Sequence, residues 1–303
     1  MKVLVTGDGG QLAYELSQTR PEGVQLVSLS VQQLDITDRE AVIAKFEEVQ
    51  PDVVINAAAY TAVDKAEKDQ AMAYAVNESG AENLALACRQ WSAKLVHIST
   101  DFVFDGSSTT PYQPEDATNP LNVYGASKLA GDNKVSEVMG QDAVIVRTAW
   151  VYSSFGHNFV KTMIRLMAEK DQLGIISDQV GTPTWAKGLA QLSWCLAEQL
   201  NEGTLPRPEL PEHHALMLHW TDAGVASWFD FAVAIQELAI EKGLLDKAIP
   251  VRPIPTSAYP TPAKRPAFSV IDKSLTETTT GKLTVHWRAQ LSTMLDELKA
   301  LGL

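Results

Sequence analysis

Tyr124 and Lys128 stand four residues apart, a spacing that puts both side chains on one face of a helix. A phenol beside an ammonium has a chemical use. The cation lowers the phenol's pKa, so Tyr124 can exchange a proton with a carbonyl or an alkoxide. Lys128 can also hydrogen-bond a ribose hydroxyl. Upstream, Ser99-Thr100-Asp101 ends an apolar run, and a hydroxyl from Thr100 would polarise the same carbonyl. Alone, a Tyr-x-x-x-Lys pair is a weak signal, because a chain with seven tyrosines produces such pairs by chance. It gains weight if a bound nicotinamide supplies the hydride, which a protein only positions.

The N-terminal residues offer a place for that nucleotide. Thr6-Gly7-Asp8-Gly9-Gly10-Gln11-Leu12-Ala13 follows an apolar run and reads as GxxGxxA on Gly7, Gly10 and Ala13. Glycine permits a tight turn and a close backbone approach, and a helix opening there presents free N–H groups and a positive dipole end to a pyrophosphate. An acid that reads the ribose hydroxyls usually lies about 20 residues on. Here Leu26-Val27-Ser28-Leu29-Ser30 holds neither acid nor arginine. NAD and NADP both stay open, and the missing carboxylate leans the site towards NADP. Asp35-Ile36 is placed to touch the adenine edge, while Asp38 reads as a plain helix cap. Asn56-Ala57-Ala58-Ala59-Tyr60 ends another apolar run, and its alanines let a flat group lie on the backbone, or simply pack a helix tightly.

These residues need a scaffold, and the hydrophobic pattern predicts one. Lys2–Thr6, Val24–Leu29, Asp52–Asn56, Lys94–Ser99 and Ala143–Thr148 read as strands. Helices are expected from Gln11, over Asp38–Glu47, as one long helix over Gln70–Trp91, and over Asn122–Val138. Short apolar strands alternating with amphipathic helices predict a doubly wound α/β parallel sheet of Rossmann type. In the second half, helices are expected over Asn158–Lys170, Trp185–Asn201, Ser227–Glu241 and His286–Leu301, with short strands at Leu173–Ser177 and Leu216–His219. Proline clusters at Pro206–Pro211 and Pro250–Pro266 mark irregular connections. The division expected is a nucleotide-binding domain over 1–150 and mainly a smaller substrate lobe over 151–303, from which segments may return to the sheet.

Composition limits the partners. Thirty-seven acids against 25 bases give a formal charge of −12, a field that repels nucleic acid and anionic lipid. No apolar run is long enough to span a membrane, and the opening MKVLVTGDGG lacks the pattern of a cleaved leader. Cys88 and Cys195 each lie in an Ala/Leu-rich helical stretch and read as small buried hydrophobes, consistent with a reducing, cytoplasmic setting. The expectation is a monomer or homodimer.

With these residues in view, the chain resembles the extended short-chain dehydrogenase/reductases, and among them the dTDP-4-dehydrorhamnose reductases. The resemblance runs along nearly the whole chain: NAAAYTAVDKAE at Asn56–Glu67, STDFVFDG at Ser99–Gly106, PLNVYGASKLAGD at Pro120–Asp132, RTAWVY at Arg147–Tyr152, NFVKTM at Asn158–Met163, DQVGTPT at Asp178–Thr184, SWFDFA at Ser227–Ala232 and RPAFSVID at Arg265–Asp272. It implies Thr100, Tyr124 and Lys128 as the catalytic set. It implies NADP(H) or NAD(H) held by Gly7, Gly10, Gln11, Leu12, Asp35, Ile36, Ala58, Ala59, Tyr60, Ser99, Tyr124 and Lys128. It further implies a nucleotide sugar held by Thr100, Asp101, Trp150 and Arg265, whose C4 ketone is reduced. Lys161, Arg165, Arg252 and Arg265 are the cations expected near its diphosphate, Arg265 foremost.

The chain also departs from the family. Phe268 and Val270 stand where an Asn and an Arg are usual in the RPxNSxLD tract. Some members dimerise through a metal held by glutamates; the matching positions here are Glu15, Lys187 and Glu297. A protonated lysine cannot ligate a metal, so no such metal is expected, and Lys187 is expected to bridge the two carboxylates. Dehydratases on this scaffold resemble one another in carrying Glu after Thr-Asp, where this chain has Phe102, which argues against elimination. An epimerase and a non-catalytic nucleotide-binding regulatory subunit remain as rivals.

Overall fold

The computed structural model describes residues 1–207 and 214–302. Residues 208–213, which include most of the first proline cluster, lie outside the described residues. The strands are β1 (Lys2–Thr6), β2 (Gln25–Leu29), β3 (Val53–Asn56), β4 (Lys94–Thr100), β5 (Ala143–Thr148), β6 (Val151–Tyr152), β7 (Leu173–Ile176), β8 (Val180–Gly181), β9 (Thr184–Trp185), β10 (Leu216–Trp220), β11 (Ala226–Ser227) and β12 (Val251–Ile254). The helices are α1 (Gln11–Gln18), α2 (Arg39–Val49), α3 (Val63–Ala66), α4 (Gln70–Tyr74), α5 (Ala81–Trp91), α6 (Val123–Met139), α7 (Phe159–Glu169), α8 (Ala186–Glu202), α9 (Trp228–Glu241), α10 (Ser274–Thr280) and α11 (Trp287–Ala300).

Six strands form one parallel sheet in the order β10-β5-β4-β3-β1-β2. The side-chain period of two sends alternate residues to opposite faces. Val3, Val5, Val53 and Ile55 pack with Leu12 and Leu16 of α1 and Leu189 and Leu192 of α8. Leu4, Val54, Leu95 and Ile145 pack with Phe46 of α2, Leu84 of α5 and Val135 of α6. Both faces are covered, which is why these strands read as continuous apolar runs. The chain leaves β1 towards β2 and then returns to β3 on the other side. That reversal opens a crevice beyond the carboxyl ends of β1 and β3, where ligands bind in doubly wound sheets.

The second half builds a separate core from Met163 and Met167 of α7, Phe231 and Ile235 of α9, and Leu291 and Leu295 of α11. Two of its segments belong to the sheet: α8 covers one face, and β10 extends the edge beside β5. The chain is helical without interruption over Gln70–Trp91, as expected, and widens to a π-type turn at Ala75–Gly80. The tract expected to be irregular at Pro250–Pro266 contains β12, which pairs in parallel with β7. A two-stranded ribbon tolerates Pro253 because an edge N–H is dispensable. Cys88 is buried as expected, whereas Cys195 is only partly so.

Candidate active site

β1 delivers the chain into the glycine turn. Gly7 has φ +82°, and a Cβ there would lie 2.8 Å from the backbone of Ala57 and Ala58. Any side chain at position 7 would therefore push the turn off the end of β3. Gly10 precedes α1, and no side chain caps that helix, so its first N–H groups have no partner within the helix. The turn and α1 form the floor of a cavity of about 760 Å³. Its wall holds Gly7, Gly10, Gln11, Leu12, Asp35, Ile36, Ala58, Ala59 and Tyr60 at one end and Ser99, Tyr124 and Lys128 at the other. The volume, the uncapped helix and the Cβ-free approach fit a dinucleotide with its pyrophosphate on α1.

The helix that carries Tyr124 and Lys128, α6, is fixed at its start. Asn122 caps α6 by accepting the Gly125 N–H at 2.8 Å, and Glu67 Oε1 accepts the Val123 N–H at 2.9 Å. Tyr124 thus sits in the first turn, half-buried, with its ring edge-on to Phe102. Burial pushes its phenol up to about 12, while the Thr100 hydroxyl acts in the opposite sense. The expected lowering by Lys128 is absent, for a geometric reason: the ammonium is turned to the backbone, donating to Ile98 O at 2.7 Å. Lys128 is almost wholly buried, and that burial lowers it to about 8.

Behind Lys128 runs a buried chain of polar groups. Thr6 Oγ1 donates to Asn56 Oδ1 at 2.7 Å, and the Ala58 N–H donates to the same oxygen. Those two donors fix the orientation of the Asn56 amide, so its NH2 faces His97 Nδ1 at 3.0 Å. The other ring nitrogen, His97 Nε2, lies 3.4 Å from Lys128 Nζ and 3.7 Å from Asp132 Oδ1. Asp132 accepts Ser99 Oγ at 2.8 Å and Arg147 Nε at 3.4 Å. His97, held well below its usual pKa by burial and by Lys128, is neutral. The glycine-turn strand β1 and helix α6 are thereby linked through the sheet. Thr6, Asn56, His97, Ser99, Lys128, Asp132 and Arg147 span four parallel strands and a helix, so no local spacing in the sequence announces them. Asp132, one further helical turn beyond Lys128, was the one visible hint.

Thr100 follows Ser99 at the end of β4; its hydroxyl donates to Asp101 Oδ1 at 3.1 Å and accepts the Phe102 N–H at 3.2 Å. Asp101 is buried, and desolvation raises it to about 7 against the pull of the Ser269 and Thr100 hydroxyls. Trp150 takes a left-handed backbone, φ +45°, a conformation that costs an L-residue about 1 kcal/mol or more. Its indole stacks on Trp228 at 3.5 Å, and Gly181 leaves it room, since a Cβ there would lie 2.9 Å from Trp150 Cε2. Arg265 forms a two-pronged pair with Asp64, at 2.7 and 3.1 Å, and also donates to Thr261 Oγ1 and Ala263 O. Thr100, Asp101, Trp150 and Arg265 are not on the wall of the large cavity. Lys161 donates to Ser154 O, Arg165 pairs with Glu169, and Arg252 bonds Gln172.

At the three positions matched to the family's metal ligands, Lys187 pairs with Glu297 at 2.5 Å. It does not bridge to Glu15, whose buried carboxylate instead accepts Ser153 Oγ at 2.6 Å.

A family model described as the RmlD substrate binding domain matches residues 1–300. The chain belongs to that family. Among relatives of known name, a dTDP-4-dehydrorhamnose reductase of Burkholderia thailandensis is 41% identical over 95% of this chain and 96% of its own. A crystal structure of a dTDP-4-dehydrorhamnose reductase from Clostridium acetobutylicum superposes with TM-score 0.89 at 41% identity, covering 99% of this chain and 100% of that one. A third, from Bacillus anthracis in complex with NADP, gives TM-score 0.86 at 34% identity over 98% and 99% of the two chains. The likeness to these relatives runs over the whole length of the chain.

Proposed function

We propose that the protein reduces the C4 ketone of dTDP-4-dehydro-6-deoxy-L-mannose with NADH or NADPH, giving dTDP-L-rhamnose. The observation that carries this reading is that Tyr124 and Lys128 share one cavity with the glycine turn of β1 and α1. Full-length likeness to dTDP-4-dehydrorhamnose reductases supports the choice of substrate. The nucleotide-binding unit takes in 1–150 together with α8 and β10, and the rest of 151–303 forms the substrate lobe. The enzyme acts in the cytoplasm, as a monomer or homodimer; among the described residues no helix is long and apolar enough to cross a membrane.

The bound dihydronicotinamide supplies the hydride. Gly7, Gly10, Gln11 and Leu12 would hold the pyrophosphate of the dinucleotide, and Asp35, Ile36 and Ala58–Tyr60 would line its adenosine and ribose path. Ser99 and Lys128 fix the end nearest the chemistry. Thr100 donates a hydrogen bond to the ketone oxygen. Tyr124, protonated because its phenol lies near 12, hands its proton to that oxygen as negative charge develops there. To stabilise the phenolate that remains, the Lys128 ammonium must swing from Ile98 O, where it rests, towards Tyr124. Trp150 forms a flat wall for the sugar, and Arg265 with Asp101 shapes the substrate side. Phe102, edge-on to Tyr124, leaves no carboxyl in the place where an elimination acid would stand.

Removing a positioned general acid costs about 10²–10⁴-fold. Tyr124→Phe should therefore lose at least a hundredfold in kcat, read as NAD(P)H oxidation with the 4-keto sugar nucleotide, while still binding the dinucleotide. A loss under tenfold would remove Tyr124 from the role of proton donor.

A further inference from the structure

The usual rule places the acid that reads the adenosine ribose at the end of the second strand, and β2 ends without one. The fold supplies a carboxylate from elsewhere. Asp8, the residue between the first two glycines of the turn, donates its N–H to Leu29 O at 3.0 Å, which binds the turn to the end of β2. Its Oδ1 accepts the Ser28 hydroxyl at 2.9 Å. Among the described residues no group donates to Oδ2. Asp8 lies on the cavity wall beside Val31 and Leu34. The place that β2 leaves neutral in sequence is therefore acidic in space.

Nothing on that wall offsets the charge. Its other acid is Asp35, and its one fixed cation among the described residues is Lys128. Lys128 is bonded to β4, which is separated from β2 by β3 and β1. Three strand spacings amount to about 14 Å, beyond the screening length of about 8 Å at physiological salt. His157 follows Gly156, which packs on Gln11 at the start of α1 rather than on β2. A phosphate monoester carries about −1.5 to −2 charges near neutrality. A 2′-phosphate placed here would meet a carboxylate and, among the described residues of that wall, no nearby cation, whereas a free 2′-hydroxyl could donate to Oδ2.

We propose that Asp8 sets cofactor choice and makes this reductase prefer NADH to NADPH. The inference rests on the reductase reading above and runs against the lean towards NADP drawn from β2 alone.

The test is equilibrium titration of the purified protein with NADH and with NADPH, following nicotinamide fluorescence, without any sugar substrate. The wild type is expected to bind NADH at least tenfold more tightly. Asp8→Asn keeps the shape and removes the charge. It should weaken NADH and tighten NADPH, shrinking the ratio by tenfold or more. Changes of opposite sign cannot come from a loosened fold, which would weaken both. Raising the ionic strength should narrow the preference of the wild type and leave that of Asp8→Asn unmoved. Equal or tighter NADPH binding by the wild type, or a ratio untouched by Asp8→Asn, would overturn the proposal while leaving the reductase reading in place. Failure to bind either dinucleotide would overturn both.

Discussion

Burial moves Tyr124 and Lys128 in opposite directions, because each loses its charged form on leaving water: the phenol rises to about 12 and the ammonium falls to about 8. The phenol is then an acid throughout the working range, and the group that titrates within it is the lysine. Lys128 is a cation below pH 8 and neutral above. The rate of ketone reduction is therefore expected to fall as pH rises through about 8. Lys128→Arg, which cannot deprotonate, should lower the rate but erase that alkaline limb; a limb that persists would assign it to another group. Asp132 is among the groups that raise the Lys128 value, so Asp132→Asn should move the limb to lower pH. It should also destabilise the fold by about 3–5 kcal/mol, read by urea unfolding, because Arg147 loses its buried counter-charge. The Tyr124/Lys128 pairing was legible from a four-residue spacing. The direction of the Tyr124 shift was not, since it depends on where Nζ points, and Nζ points to a carbonyl of a strand thirty residues earlier.

The elements around the site are clasped by a few long-range contacts. The segment 263–265 docks on α3 and on the cap of α6: Asp64 takes the Ala263 N–H and the Arg265 guanidinium, and Asn122 donates to Lys264 O. Arg265 beside Asp64 holds that carboxyl below its usual range. A carboxyl with a lowered folded pKa stabilises the fold above its unfolded value, here 3.8, and loses that contribution as pH drops through the lowered one. The pair is partly exposed, so its coupling is expected to be about 1 kcal/mol or less in a double-mutant cycle of Asp64→Ala and Arg265→Ala. If Arg265 works by tethering the loop, the two single variants raise the KM for the sugar nucleotide alike and the double variant adds little. If Arg265 touches substrate directly, only its own variant does so. On the other wall, Gly181→Ala should displace Trp150, raising the KM for the sugar nucleotide more than that for NADH. The strands and the glycine turn were legible because each is a local pattern. The clasp was not, because Asp64 and Arg265 lie 201 residues apart, and β12 was hidden by the prolines that surround it.

At the scale of the molecule, the sheet is completed late in the chain. β10 pairs with β5, and α8 covers the face that α1 shares, so the nucleotide site cannot be finished before residues from the second half return. A ligand that binds only the finished fold adds about 2.7 kcal/mol at a hundred times its Kd. Saturating NADH should therefore raise the melting temperature of the wild type by a few degrees. Tyr124→Phe should keep that shift, whereas Gly7→Ala, which drives a Cβ into Ala57 and Ala58, should lose it. The most direct measurement follows the hydrogen itself. With nicotinamide deuterated at C4 and the dTDP-4-keto-6-deoxy sugar as acceptor, NMR of the product is expected to show one deuterium at sugar C4. Product carrying no deuterium, or carrying it at another carbon, would contradict a hydride transfer directed by Thr100, Tyr124 and Lys128.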